Sequence, residues 1–209
     1  MISASPMPPA EVRILALGDS YTIGEGVVPD ERWPMQLAAM LRARGRQVAA
    51  PTIVAHTGWT TGELSAGIDD TNLTGPYALV TLLIGVNNQY RGRGLGEYRE
   101  QFRALLARAV GFAGGRTERV IVLSIPDWGV TPFAEGRDRA RIARGIDAFN
   151  AVNREEAARA GTRYVDVTTI SRRASGQPEL VVADNLHPSA AMYALWVRGM
   201  LPAVLAAIS

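Results

Sequence analysis

Short apolar runs, most ended by glycine or a polar turn, alternate along this chain with longer segments of helical period, and no other feature constrains its fold as strongly. The runs at 78–84 and 120–125 are almost wholly aliphatic, which is how strands covered on both faces read. Runs at 13–17, 48–55 and 164–167 complete a set of five. Between them, 33–44, 60–70, 97–111 and 137–160 carry apolar residues at three- and four-residue spacing, the pattern of helices that bury one face. Strand and helix taking turns predict parallel strands joined by crossover helices, hence an α/β chain built as a three-layer α/β/α sandwich. In such open sheets ligands bind beyond the carboxyl ends of the strands, so the loops that follow the strands are where chemistry is expected.

Composition narrows the function classes. A length of 209 residues suits one domain, expected over 11–209, with the proline-rich 1–10 as a loose leader. Hydrophobic residues at 47% and charged residues at 20% exclude a disordered chain. All 22 basic residues are Arg, set against 20 acidic ones for a net charge of +2. The Arg runs at 42–46 and 137–144 are interleaved with apolar or acidic residues and read as solvated helix surface, so no nucleic-acid partner is expected. Cysteine is absent, which excludes disulfides and thiolate zinc sites. Residues 1–11 lack the basic start and apolar core of a signal peptide, and a cytoplasmic location is the expectation. The most apolar stretch, 190–208, is interrupted by Arg198 and Pro202 and is expected to be a buried terminal helix rather than a membrane span.

The first strand runs into Gly18-Asp19-Ser20-Tyr21-Thr22, with Gly24 and Gly26 close behind. Taken alone, this serine is equally readable as a helix cap or as part of a phosphate-cradling glycine turn, although neither nucleotide-binding fingerprint is matched. A serine hydroxyl becomes a useful nucleophile near neutral pH only with a base to take its proton. Two histidines are available. His187 lies in Asp184-Asn185-Leu186-His187-Pro188-Ser189, where an acid three residues upstream can reach the imidazole; the alternative is that Asp184 caps the final helix and His187 lies on the surface. His56, in His56-Thr57-Gly58-Trp59, has no acid at such a spacing and is assigned a place beside the site at most. Acyl transfer also needs donors for the developing oxyanion, for which Gly58 after the second strand and Asn87 after the third are candidates beside the Ser20 N–H.

These residues together resemble the SGNH (GDSL-like) hydrolases, in particular their lysophospholipase and esterase branch. Gly18-Asp19-Ser20-Tyr21 is similar to the first block of that family, Gly58 to the second, Gly85-Val86-Asn87 to the third and Asp184 through Pro188 to the fifth, in the family's order across nearly the whole chain. Two positions depart from its pattern: Asn88 stands where the family usually has Asp, and Tyr21 where Leu is common. The resemblance implies a flavodoxin-like strand arrangement, Ser20, Asp184 and His187 as a catalytic triad, and an oxyanion hole of Ser20, Gly58 and Asn87. It further implies a small-molecule ester substrate and no metal or cofactor.

For substrate contacts the expected walls are 88–94, read as a mobile loop carrying Tyr90, Arg91 and Arg93, and the segment 126–133 with Trp128 and Phe133. Tyr21, Tyr90 and Trp128 are the named substrate-binding candidates. The arginines could meet a phosphate or sugar or simply be soluble surface, and the aromatics could line the site or belong to the core. Acyl transfer, thioester cleavage or carbohydrate deacetylation in the same site stays open, as does a phosphate-binding module without catalysis.

Overall fold

The computed structural model describes residues 11–209, so the expected leader lies outside the described residues. Five strands, β1 (Ile14–Gly18), β2 (Thr52–Ala55), β3 (Leu79–Leu83), β4 (Val120–Leu123) and β5 (Arg163–Val165), form one parallel sheet in the order β2-β1-β3-β4-β5. Every residue of β1, β3 and β4 is buried, as their unbroken apolar sequences require. The second run is shorter as a strand than its sequence indicates. Val48 makes only an isolated bridge to Val12, and Pro51, which has no N–H to give to a ladder, separates that bridge from β2.

Eight α-helices are described: α1 (Ser20–Ile23), α2 (Trp33–Arg42), α3 (Thr61–Asp69), α4 (Val86–Tyr90), α5 (Leu95–Phe112), α6 (Arg139–Ala160), α7 (Thr168–Ser171) and α8 (Ala190–Ala207). α2 packs with α8 on one face of the sheet, while α3, α5 and α6 form a contiguous layer on the other. The result is the expected α/β/α sandwich. Among the described residues α8 is the one helix long and apolar enough to cross a membrane, but it presses Met192, Tyr193, Trp196, Val197, Met200 and Val204 into the core.

The strand order fixes where a ligand can sit. From β1 the chain moves outward to β2, then returns past β1 to β3, so the connections leaving β1 and β3 part in opposite directions. A crevice opens at such a reversal, just beyond the carboxyl edge. Ser20 follows β1, Gly58 follows β2 and Asn87 follows β3, so all three are delivered to that crevice.

Candidate active site

Gly18 closes β1 against its neighbours so tightly that a side chain there would collide with Thr22 Oγ1 and come within 2.5 Å of the Leu83 carbonyl oxygen. The next residue, Asp19, is fully buried and caps α1, its Oδ1 accepting from the Tyr21 N–H at 3.1 Å. Its Oδ2 is buried without a partner, and burial pushes the carboxyl up to about 7 despite the pull of the Tyr21 N–H in the other direction. Ser20 is therefore the first residue of α1, held at the sheet edge with its backbone N–H at a helix start. No hydrogen bond within the described chain occupies that N–H.

On the opposite wall, residues 181–188 form a tight hairpin closed by the antiparallel bridge of Val181 to Pro188 and by the Val182 N–H donating to the His187 carbonyl at 2.9 Å. Asn185 turns it with φ 65°, a left-handed conformation that asparagine tolerates better than most side chains, and its carbonyl accepts from the Phe133 N–H at 2.9 Å. This turn brings Asp184 Oδ2 to 2.6 Å from His187 Nδ1, while Asp184 Oδ1 accepts from the backbone N–H groups of Leu186 and His187 at 2.8 and 2.9 Å. Partial burial alone would raise the Asp184 carboxyl, but the hydrogen bonds from the His187 ring and from the two backbone donors outweigh it and hold the group below its ordinary value. An ionised Asp184 fixes the proton on Nδ1 and leaves Nε2 free to accept. The cap of α8 is Ser189, whose Oγ accepts from the Met192 N–H, so the alternative of Asp184 as that cap is set aside.

The donors expected for an oxyanion lie on two further loops. Gly58 has φ 85°, and its carbonyl accepts from Arg91 Nη2 at 2.7 Å, which steadies the turn from outside. Its N–H, like that of Ser20, is not engaged within the described chain. Asn87, in the first turn of α4, donates one Nδ2 hydrogen to the Trp59 carbonyl at 2.9 Å and keeps the second for the crevice. Asn88, standing where the resembled family usually has Asp, is buried and accepts from the Thr61 N–H at 3.0 Å while donating to Thr61 Oγ1 at 2.8 Å. It thus ties α4 to the start of α3 with both ends of its amide. The capping box of Thr60 and Glu63 sits at the same helix start, with Glu63 also meeting Arg91.

Ser20, Tyr21, Gly58, Asn87, Tyr90, Trp128 and His187 converge on one cleft with a volume of about 180 Å³, and Asp184 stands behind His187. Thr57, Val86, Phe133 and Leu186 complete its lining. Tyr21 is buried and meets the His187 ring edge-on with centroids 5.8 Å apart. Trp128 is both core and wall: it is buried, and its indole N–H donates to Gln89 Oε1 at 2.9 Å. Phe133 and Tyr90 are partly exposed beside it, with ring centroids 6.0 and 5.4 Å from the indole. His56 lies outside the cleft, exposed and stacked on Trp59.

Three expectations change. The segment 88–94, read as a mobile loop, begins inside a helix: its first three residues, 88–90, are the end of α4. Arg91 is spent on Glu63 and the Gly58 carbonyl and is a brace rather than a substrate contact. Arg137, read as solvated helix surface, precedes α6 and lies over the rings of Tyr90, Trp128 and Phe133 at 5.6, 5.5 and 5.0 Å. Its sequence signal was weak: an arginine three residues after Phe133-Ala134 is indistinguishable from a charge in the Arg run that follows.

The model of the GDSL-like Lipase/Acylhydrolase family matches residues 16–195. The chain belongs to this family. The matched span begins within β1 and ends within α8, so this GDSL-like hydrolase carries the family pattern across its whole sheet and cleft. No curated protein matches the sequence. Among solved structures, TesA superposes with a TM-score of 0.71 at 21% identity, covering 92% of this chain and 97% of that one. Axe2, an acetylxylan esterase from Geobacillus stearothermophilus, gives 0.72 at 19%, covering 92% and 94%. The lipase/acylhydrolase from Enterococcus faecalis gives 0.71 at 22%, covering 91% and 94%. At these identities the likeness is one of fold.

Proposed function

We propose that this GDSL-like hydrolase cleaves carboxylic esters through an acyl-enzyme on Ser20. The reading rests on one observation above all: the Asp184–His187 couple, closed at 2.6 Å, shares a single cleft with Ser20 and with the Gly58 and Asn87 donors. His187 Nε2 takes the Ser20 hydroxyl proton as Oγ bonds to the ester carbonyl carbon. The carbonyl oxygen becomes an oxyanion held by the N–H groups of Ser20 and Gly58 and by the free Nδ2 hydrogen of Asn87. Collapse breaks the bond to the alcohol oxygen, which leaves with the proton from His187. Water then attacks the acyl-enzyme, giving its proton to the same nitrogen, and the acid departs as Ser20 recovers its hydrogen. The proton that Ser20 loses to the alcohol is replaced by one from water, so Ser20 and His187 end as they began and need no cofactor to close the cycle.

The cleft's modest volume and the apolar side chains of Tyr21, Val86, Trp128, Phe133 and Leu186 favour a short acyl group. The test is hydrolysis of 4-nitrophenyl esters from acetate to palmitate by the wild type, Ser20→Ala and His187→Ala. Activity confined to the wild type and highest on short chains is expected. Retention of wild-type rates in Ser20→Ala would overturn the mechanism, and a palmitate optimum would overturn the acyl assignment.

A further inference from the structure

Beyond the aromatic wall of the cleft lies a second, more open hollow of about 530 Å³, which shares Tyr90 and Trp128 with the first. Its lining includes the buried side chains of Ile142 and Phe149, together with Gln89, whose amide oxygen holds the Trp128 indole. Its lining also carries Arg93, Arg137 and Arg141 against the single carboxylate of Asp138, a local net charge of +2. That carboxylate is already engaged, since Asp138 Oδ1 caps α6 by accepting from the Arg141 N–H at 2.9 Å.

These three arginines differ from many of the others in the chain. Arg91, Arg99, Arg108, Arg116, Arg159 and Arg172 each close an ion pair with a carboxylate, whereas Arg93, Arg137 and Arg141 close none among the described residues. Three like charges around one hollow repel one another, and a bound oxyanion converts that repulsion into attraction. Arg137 is also pre-positioned: the three rings beneath its guanidinium hold its face, which leaves its N–H edges to point at a ligand. An ester seated with its acyl group in the small apolar cleft would extend its alcohol portion past Tyr90 and Trp128 into this cationic space.

We propose that the hollow is a subsite for a phosphate group carried on the alcohol portion of the ester, so that the hydrolase favours esters of phosphorylated alcohols over their neutral counterparts. The inference rests on the ester-hydrolase reading given above and adds a recognition element to it. A lipid headgroup and a soluble phosphorylated alcohol present the same chemistry to the three guanidinium groups.

The test compares 1-butyrylglycerol with 1-butyrylglycerol 3-phosphate, which share the acyl group and the scissile bond and differ by the phosphate. Because each enzyme's rate on the neutral ester normalises its rate on the charged one, the readout is the ratio of the two kcat/KM values. Wild type is expected to favour the phosphate by about tenfold, with each of Arg93→Gln, Arg137→Gln and Arg141→Gln lowering the ratio about two- to fivefold and the triple variant bringing it near one. The advantage is also expected to shrink as salt rises from about 50 mM to about 500 mM. No preference in the wild type, or an unchanged ratio in the triple variant, would overturn the subsite.

Calorimetric titration with glycerol 3-phosphate, and with glycerol as control, reads the hollow without catalysis. Binding by wild type that is lost in the triple variant supports the subsite even if neither ester is cleaved, an outcome that would sink the esterase reading alone. Absence of binding by wild type counts against the subsite even where both esters are hydrolysed. The 1-palmitoyl homologue separates the sources: a phosphate advantage retained there makes a lipid headgroup the occupant, and one restricted to the butyryl ester makes it a soluble phosphorylated alcohol.

Discussion

Replacing Asp184 with Asn tests the assembly of the site at its most legible point. Asp184 Oδ2 meets His187 Nδ1 at 2.6 Å while Oδ1 accepts from two backbone N–H groups, so an amide in this place has no harmless orientation. If the Asn Nδ2 faces the ring, it donates to Nδ1, the imidazole proton moves to Nε2, and the nitrogen that must accept from Ser20 is blocked. In the reverse orientation, Nδ2 faces two donors, and two backbone hydrogen bonds of about 1 kcal/mol each are lost. The charge contributes separately. The Asp184 side chain is 39% exposed, so its attraction for the imidazolium formed during attack is screened and is worth about 1–2 kcal/mol. Adding about 2–3 kcal/mol for the wrong tautomer gives about 4 kcal/mol, or a loss of about a thousandfold in kcat/KM at 1.36 kcal/mol per decade. Steady-state hydrolysis of 4-nitrophenyl acetate reads the rate, and thermal unfolding checks that the fold survives. A folded Asp184→Asn protein that keeps more than a tenth of wild-type kcat/KM would refute the role given to this carboxylate.

Asn87→Ala removes the proposed side-chain oxyanion donor together with its bond to the Trp59 carbonyl, and kcat is expected to fall about 10²- to 10³-fold with KM little changed; an effect on KM alone would point to ground-state binding instead. Asp19→Asn keeps an acceptor for the Tyr21 N–H but cannot ionise. Because the folded-state pKa of Asp19 is raised from 3.8 to about 7, its protonated form stabilises the fold most fully at acid pH, and that contribution is lost as pH rises between those values. The Tm of wild type relative to Asp19→Asn is therefore expected to drop between pH 5 and pH 8, and a difference independent of pH would disprove the buried titration. Gly18→Ala forces a methyl group toward Thr22 Oγ1 and the Leu83 carbonyl, with an expected loss of about 3 kcal/mol or more by chemical denaturation; a cost under about 1 kcal/mol would show that β1 and β3 can move apart.

The sheet was legible because its signals are local and strong. β3 and β4 carry their burial in composition alone, and the long α6 declares itself through apolar spacing over six turns. The short helices were harder. α4 spans five residues, Val86–Tyr90, too few for a periodic pattern, and Gly85 with Asn87 and Asn88 has the composition of a turn. Ser20, Gly58, Asn87, Asp184 and His187 could each be named because each sits just past a strand or just before the last helix, where the topology delivers side chains to one edge. What sequence could not supply was the company kept across the cleft. Nothing near Arg91 in sequence marks its contact with the Gly58 carbonyl, and nothing near Arg137 marks the three rings beneath it. Such pairings depend on how separate loops dock, and local patterns carry no record of that.

The hairpin that holds Asp184 and His187 has a consequence for how this hydrolase should fail. Acid and base are three positions apart and are fastened by backbone bonds within the same few residues, so their mutual geometry belongs to a small module that can shift without losing its internal order. Ser20 belongs to a different body, anchored by β1 inside the sheet between β2 and β3. The tolerance of the machine is therefore set at the seam between the two, where the Tyr21 ring meets His187. Mild denaturants should disengage the module before they melt either part, leaving an enzyme that is folded and internally intact but out of alignment.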